Sequence, residues 1–164
     1  MKYFTLIWVL FFTQSHAYTL KNENALIYQL NNRFQSDIRV LGAKEKQCKL
    51  NQKRLSVSEI KELSLDKKTV TIALKYFYLK AMVGCTNHEK RKYLTSSSLL
   101  SVIDKNSRAK VEISNEAVLD EDIQLLDVEM QYIKLDENMK RKLRSIKQLN
   151  EPFDLIKAAN DLDI

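Results

Sequence analysis

The stretch "TVTIALKYFYLKAMVGC", residues 69–85, decides the fold. Val70, Ala73, Leu74, Phe77 and Ala81 recur at spacings of three and four, the period of one helix face. Ile72, Tyr76, Leu79 and Val83 lay a second stripe beside the first. A helix that is apolar over most of its circumference belongs at the centre of a domain, with other helices packed around it. Asp66 or Ser64 can cap its start, and Gly84 stands where a C-terminal glycine ends a helix. The prediction is a central helix over residues 67–83, just before Cys85.

Working outward, the pattern stays helical. Ile27, Leu30, Phe34, Ile38 and Leu41 share one face, with Gly42 placed to end that helix. Ser56-Val57-Ser58-Glu59 reads as a capping box that opens a short turn burying Ile60 and Leu63. After a basic turn at residues 89–92, "TSSS" leads into a short helix from Leu99 to Ile103, and residues 104–114 read as a linker. From Asn115, the residues Leu119, Ile123, Leu126, Met130 and Ile133 give a clean amphipathic stripe. The phase slips at Asp136, and Met139, Leu143, Ile146 and Leu149 carry a new stripe. Asn150-Glu151-Pro152 then starts a last helix burying Phe153, Ile156, Ala159 and Leu162. The whole chain has two glycines and one proline. Sheets and phosphate-cradling loops need more glycine than that for tight turns and close backbone approach. The expected fold is therefore all-α, a compact bundle of about six helices around the central one.

The N-terminus, "MKYFTLIWVLFFTQSHA", joins an early cation, an apolar run from Phe4 to Phe12 and small residues at the end. This is the layout of a cleaved secretory signal, with the cut after Ala17. The run is too short to span a bilayer. Tyr18 and Thr19 follow the cut, so there is no lipobox cysteine. The expected product is a single helical domain, residues 18–164, in the periplasm or outside the cell. Cys48 and Cys85 are the only thiols, and an even pair in an oxidising compartment reads as a disulfide. That bridge would staple the end of the central helix to the polar segment 43–54.

The chemistry-bearing candidates are thin. After cleavage His88 is the only histidine, and a triad or a histidine metal site needs partners; in the polar "TNHEKRK" it reads as solvated. Ser64 and Lys67 match S-x-x-K, but the companion S-D-N and K-T-G elements are absent. Asp120, Glu121 and Asp122 are consecutive, so on a helix they point in different directions. Tyr76 and Tyr78 flank Phe77 and read as core packing. No cofactor or metal is expected, and catalysis is not.

Charge is the distinctive feature. Residues 18–111 hold nineteen Lys and Arg against eight Asp and Glu, and residues 112–164 hold seven against thirteen. Such asymmetry between halves hints at an interaction surface. The bridge would gather Lys44, Lys46, Lys49, Lys53 and Arg54 with Lys90, Arg91 and Lys92 into one basic patch. The expectation is a secreted binding protein, an envelope-assembly accessory or an immunity-type inhibitor, whose patch meets an acidic protein partner or an anionic envelope component. The competing readings are mutual neutralisation of the two halves, a small envelope hydrolase, and a carrier of an apolar ligand. Nucleic acid is not an expected partner, since the protein leaves the cell and no aromatic-interleaved basic motif is present. Native protein isolated from its source should begin at Tyr18 on N-terminal sequencing; an intact Met1 contradicts the export reading.

Overall fold

The computed structural model describes the backbone from Phe4 and side chains from Asn24. The expected signal segment 1–17 and its cut after Ala17 lie outside the residues whose side chains are described. The order is α1 (Phe4–Leu50), α2 (Ser58–Glu62), α3 (Lys67–Ile103), α4 (Arg108–Tyr132), α5 (Glu137–Ser145), a 3-10 turn (Lys147–Asn150) and α6 (Leu155–Leu162). There is no strand among the described residues, only an isolated parallel bridge between Lys53 and Phe153. No helix among the described residues is long and apolar enough to cross a membrane.

Helix α3 is the axis, as the double stripe implied. Asp66 caps it by accepting from the Thr69 amide at 3.0 Å and the Thr69 hydroxyl at 2.5 Å. These bonds favour the ionised carboxylate and hold its pKa below the ordinary value, the hydroxyl contributing most. Helices α1 and α4 both pack chiefly against α3. Two apolar clusters form along it. One gathers Val70, Leu74, Tyr76 and Phe77 with Tyr132, Leu143, Leu149 and Phe153 at the N-terminal end. The other joins Leu30, Phe34 and Leu41 of α1 to Tyr93 and Leu100 of α3 and Val111 of α4.

Helix ends depart most from the sequence reading. Neither glycine stops a helix: α1 runs through Gly42 to Leu50, and α3 runs through Gly84 to Ile103. A glycine inside a helix costs about 1 kcal/mol relative to alanine; beyond Gly42 the Cys48–Cys85 bridge outweighs that, and beyond Gly84 the burial of Tyr93 and Leu100 does. The basic turn at 89–92 and the "TSSS" stretch are both inside α3. There the Ser96 and Ser97 hydroxyls donate back to the carbonyls of Tyr93 and Leu94, each at 3.0 Å, so a buried serine is satisfied without ending the helix. The expected linker 104–114 shrinks to a short turn before Arg108. The capping box does not form: α2 has no side-chain cap, and the Ser56 and Ser58 hydroxyls bond each other instead. Asp154, not Pro152, opens α6, by accepting from the Lys157 amide at 2.9 Å. Phe153 is buried as expected, but Ile156 is 76% exposed.

The break at Asp136 is where the phase slip placed it. Asp136 caps α5 by accepting from the amides of Asn138 and Met139. The face of α4, however, is turned. Its inward residues are Val111, Val118, Asp122, Leu125 and Tyr132, while Ile123, Leu126, Met130 and Ile133 face solvent. Tyr132 accounts for this. Its ring stacks on Tyr76 with centroids 4.0 Å apart and meets the edge of Phe77, and aromatic contacts of this kind add to the area they bury.

A Cβ built at Gly42 or Gly84 meets nothing within 4 Å. Gly42→Ala and Gly84→Ala should each therefore stabilise the protein by about 0.5–1 kcal/mol, read as a higher urea midpoint at unchanged slope.

Candidate functional site

The bridge Cys48–Cys85 is formed, with Cα atoms 6.3 Å apart. It joins the last turns of α1 to the middle of α3. Phe34 of α1 meets Tyr93 of α3 with ring centroids 5.6 Å apart, so the two helices run antiparallel. Moving back from Cys48 along α1 is then the same direction as moving forward from Cys85 along α3. At 1.5 Å rise per residue, Lys44 lies about 6 Å and Arg91 about 9 Å from the bridge in that shared direction. Lys46, Lys49, Arg91 and Lys92 are exposed, and Lys44 is half-buried; at about 100° per residue Lys44 and Lys92 share the bridge's side of their helices, whereas Lys49, Arg91 and Lys46 are turned about 100°, 120° and 160° from it.

The other three cations of the expected patch are engaged elsewhere. Lys53 pairs with Glu151, and Arg54 reaches Asp161 at 3.4 Å. Both lie past the end of α1, where the chain meets its own C-terminal segment: the Lys53 amide donates to the Pro152 carbonyl and the Asp154 amide to the Lys53 carbonyl. Lys90 is buried, and its ammonium donates to Asp122 of α4 at 2.6 Å. Five positions separate it from Cys85, which turns it about 140° around α3 and away from α1. With Lys67–Asp163 at 3.0 Å, four ion pairs among the described residues join the basic part of the chain to the acidic part. Neutralisation is thus partial, reaching Lys53, Arg54, Lys67 and Lys90 but not the cations along the bridge.

A second buried ammonium has a structural task. Lys140 donates to the Ile133 carbonyl at 2.8 Å, where α4 ends, and pairs with Glu137 at 2.5 Å. A cation at a helix C-terminus is well placed against the helix dipole. The hydrogen bond from Lys140 holds the Glu137 carboxyl below its usual pKa.

The remaining candidates do not assemble chemistry. Ser64 is exposed at a positive φ of 50° in the turn before α3. Lys67, which would have to take its proton, donates instead to the carbonyl and carboxylate of Asp163 at 2.6 and 3.0 Å. That contact, by hydrogen bond and charge, holds Asp163 below the ordinary carboxylate pKa. His88 is exposed. Among the described residues, no three His, Cys, Asp or Glu side chains are grouped so as to hold a metal ion. Tyr76 is spent on Tyr132, and Tyr78 lies edge-on to Phe153 with centroids 5.9 Å apart. Burial pushes the phenols of Tyr93 and Tyr132 above their ordinary pKa, with Ser114 and Arg144 respectively acting in the opposite sense.

Two features escaped the sequence. The Lys90–Asp122 pair joins residues on different helices, and no local pattern signals it. The exposed side of α4 carries a visible stripe, but the stripe's direction is set by Tyr132. Breaking a buried pair from one side strands a charge, whereas replacing both members by apolar residues does not. Asp122→Asn should cost about 2–3 kcal/mol in urea unfolding, less than a fully buried pair because Asp122 is 31% exposed. The double variant Lys90→Met/Asp122→Leu should unfold within about 1 kcal/mol of the parent. No protein-family model, no curated protein and no solved structure matches the chain.

Proposed function

We propose that the chain is a non-catalytic protein-interaction module that works outside the cytoplasm, as an envelope-assembly accessory or an inhibitor of immunity type. The observation that carries this reading is the set of cations beside the bridge. Lys44, Lys46, Lys49, Arg91 and Lys92 have no acidic partner among the described residues, although thirteen carboxylates stand in residues 112–164. The bridge ties together the two helices that carry these cations, and like charges on joined helices repel. An acidic surface on a partner removes the repulsion. Such complementarity governs association rate and choice of partner more than raw affinity. The disulfide and the signal-like N-terminus are the support for an extracytoplasmic site of action.

The reading is tested by capture from envelope extract with the oxidised protein and with a variant carrying Lys46→Glu, Lys49→Glu, Arg91→Glu and Lys92→Glu. All four positions are exposed, so the variant should fold. The expected result is a partner held by the parent, lost with the variant, and released from the parent by about 0.5 M salt. Equal recovery by both proteins contradicts the reading. Binding of the parent to vesicles of anionic lipid in place of any protein would assign the patch to a membrane surface.

A further inference from the structure

We propose that the outer face of α4 is a second docking surface, made for a cationic amphipathic helix of a partner protein. This goes beyond the reading above and concerns a different face with the opposite charge. Ile123, Leu126, Met130 and Ile133 are 60%, 62%, 61% and 58% exposed. Their spacing of three, four and three is that of a coiled-coil seam, the spacing at which a second helix lays its own apolar edge. They contribute little to the core, whose α4 residues are Val111, Val118, Leu125, Val128 and Tyr132. A single exposed leucine is ordinary on a monomer, whereas four in register along one helix form a continuous apolar strip.

The residues flanking the strip identify the occupant. Asp120 and Asp127 stand along one edge and Glu129 along the other. Gln124 donates to Asp120 at 2.8 Å and Gln131 to Asp127 at 3.3 Å, each four residues on, which fixes the carboxylates along the rim. None of the three has a cationic partner among the described residues. Asp122, also on the flank, is engaged by Lys90. The cations nearby are Lys134, at the far end of α4, and Lys75 of α3, which lines the adjoining groove but pairs with none of the three carboxylates. A second copy of this face would set three unpaired carboxylates against three. Flanking charges of one sign select a partner of the other sign and reject self-pairing. A helix with an apolar seam and lysines or arginines beside it fits both requirements. Next to the strip, Ile123 and Val128 share a groove of about 390 Å³ with Tyr78, Leu79 and Leu155, concave enough to seat an anchoring side chain.

Two labelled helical peptides with the same leucine seam, one flanked by lysines and one by glutamates, test this against the oxidised protein by fluorescence anisotropy. The lysine peptide should bind at least about tenfold more tightly, against the protein's overall positive charge. Asp120→Lys/Asp127→Lys should weaken it about tenfold or more, and Ile123→Ser/Met130→Ser should abolish it. Both variants should keep the parent's circular dichroism and unfolding midpoint, because the substituted residues are exposed. Equal binding of the two peptides, or undiminished binding by Ile123→Ser/Met130→Ser, would overturn the proposal. So would a dimer of the chain alone, seen by sedimentation and dissolved by that same variant.

Discussion

The bond between Cys48 and Cys85 governs how the rest of the structure can be arranged. α1 lies against α3, and its buried apolar side chains, Leu30, Phe34 and Leu41, all fall on one side of the bridge. The last turns of α1 carry lysines and glutamine with little to bury, and the sulfur–sulfur link holds them down. Tying residues 37 apart in sequence removes about 4 kcal/mol of loop entropy from the unfolded chain, a large share of a domain's usual net stability. It also sets the register of the antiparallel pair, and therefore which cations become neighbours. The apolar clusters at the two ends of α3 are separate, and the bridge and the Lys90–Asp122 pair lie between them.

The charge imbalance between the two parts of the sequence becomes a spatial arrangement. Where basic and acidic segments meet, at Lys53–Glu151, Arg54–Asp161 and Lys67–Asp163, the pairs are largely exposed, and solvent screening leaves each a minor contribution to stability. The buried Lys90–Asp122 pair does more to fix α4 against α3, because either charge alone would be stranded. Among the described residues, what remains unpaired includes Lys44, Lys46, Lys49, Arg91 and Lys92 on α1 and α3 and Asp120, Asp127 and Glu129 on α4.

Much of the fold was legible in the amino acids. The double stripe of residues 70–83 demanded a central helix, Asp66 and Asp136 stood at real helix starts, and the paired cysteines predicted the staple. Misreadings arose wherever a local signal of about 1 kcal/mol competed with packing. Gly42 and Gly84 resemble terminators, and residues 86–98 look like turn and cap, yet neighbours on either side keep both helices going. α4 shows a subtler limit. It has two stripes with seven-residue periodicity, and the more apolar one, from Leu119 to Ile133, looks like the core. The structure buries the mixed one, because Tyr132 stacks on Tyr76 and Asp122 answers Lys90. Neither partner is near in sequence, so hydropathy alone chooses the wrong side. For the same reason the basic patch was half legible: the bridge was foreseeable, but not the turn of α3 that takes Lys90 inside.

The clasp between Lys53 and residues 152–154 has a temporal meaning as well. The segment leaving α1 hydrogen-bonds to a stretch about a hundred positions further on, so it cannot close until that stretch has folded against it. Long-range closure of this sort raises contact order and slows folding. Protection of the Lys53 amide from solvent exchange therefore reports that the whole molecule has closed.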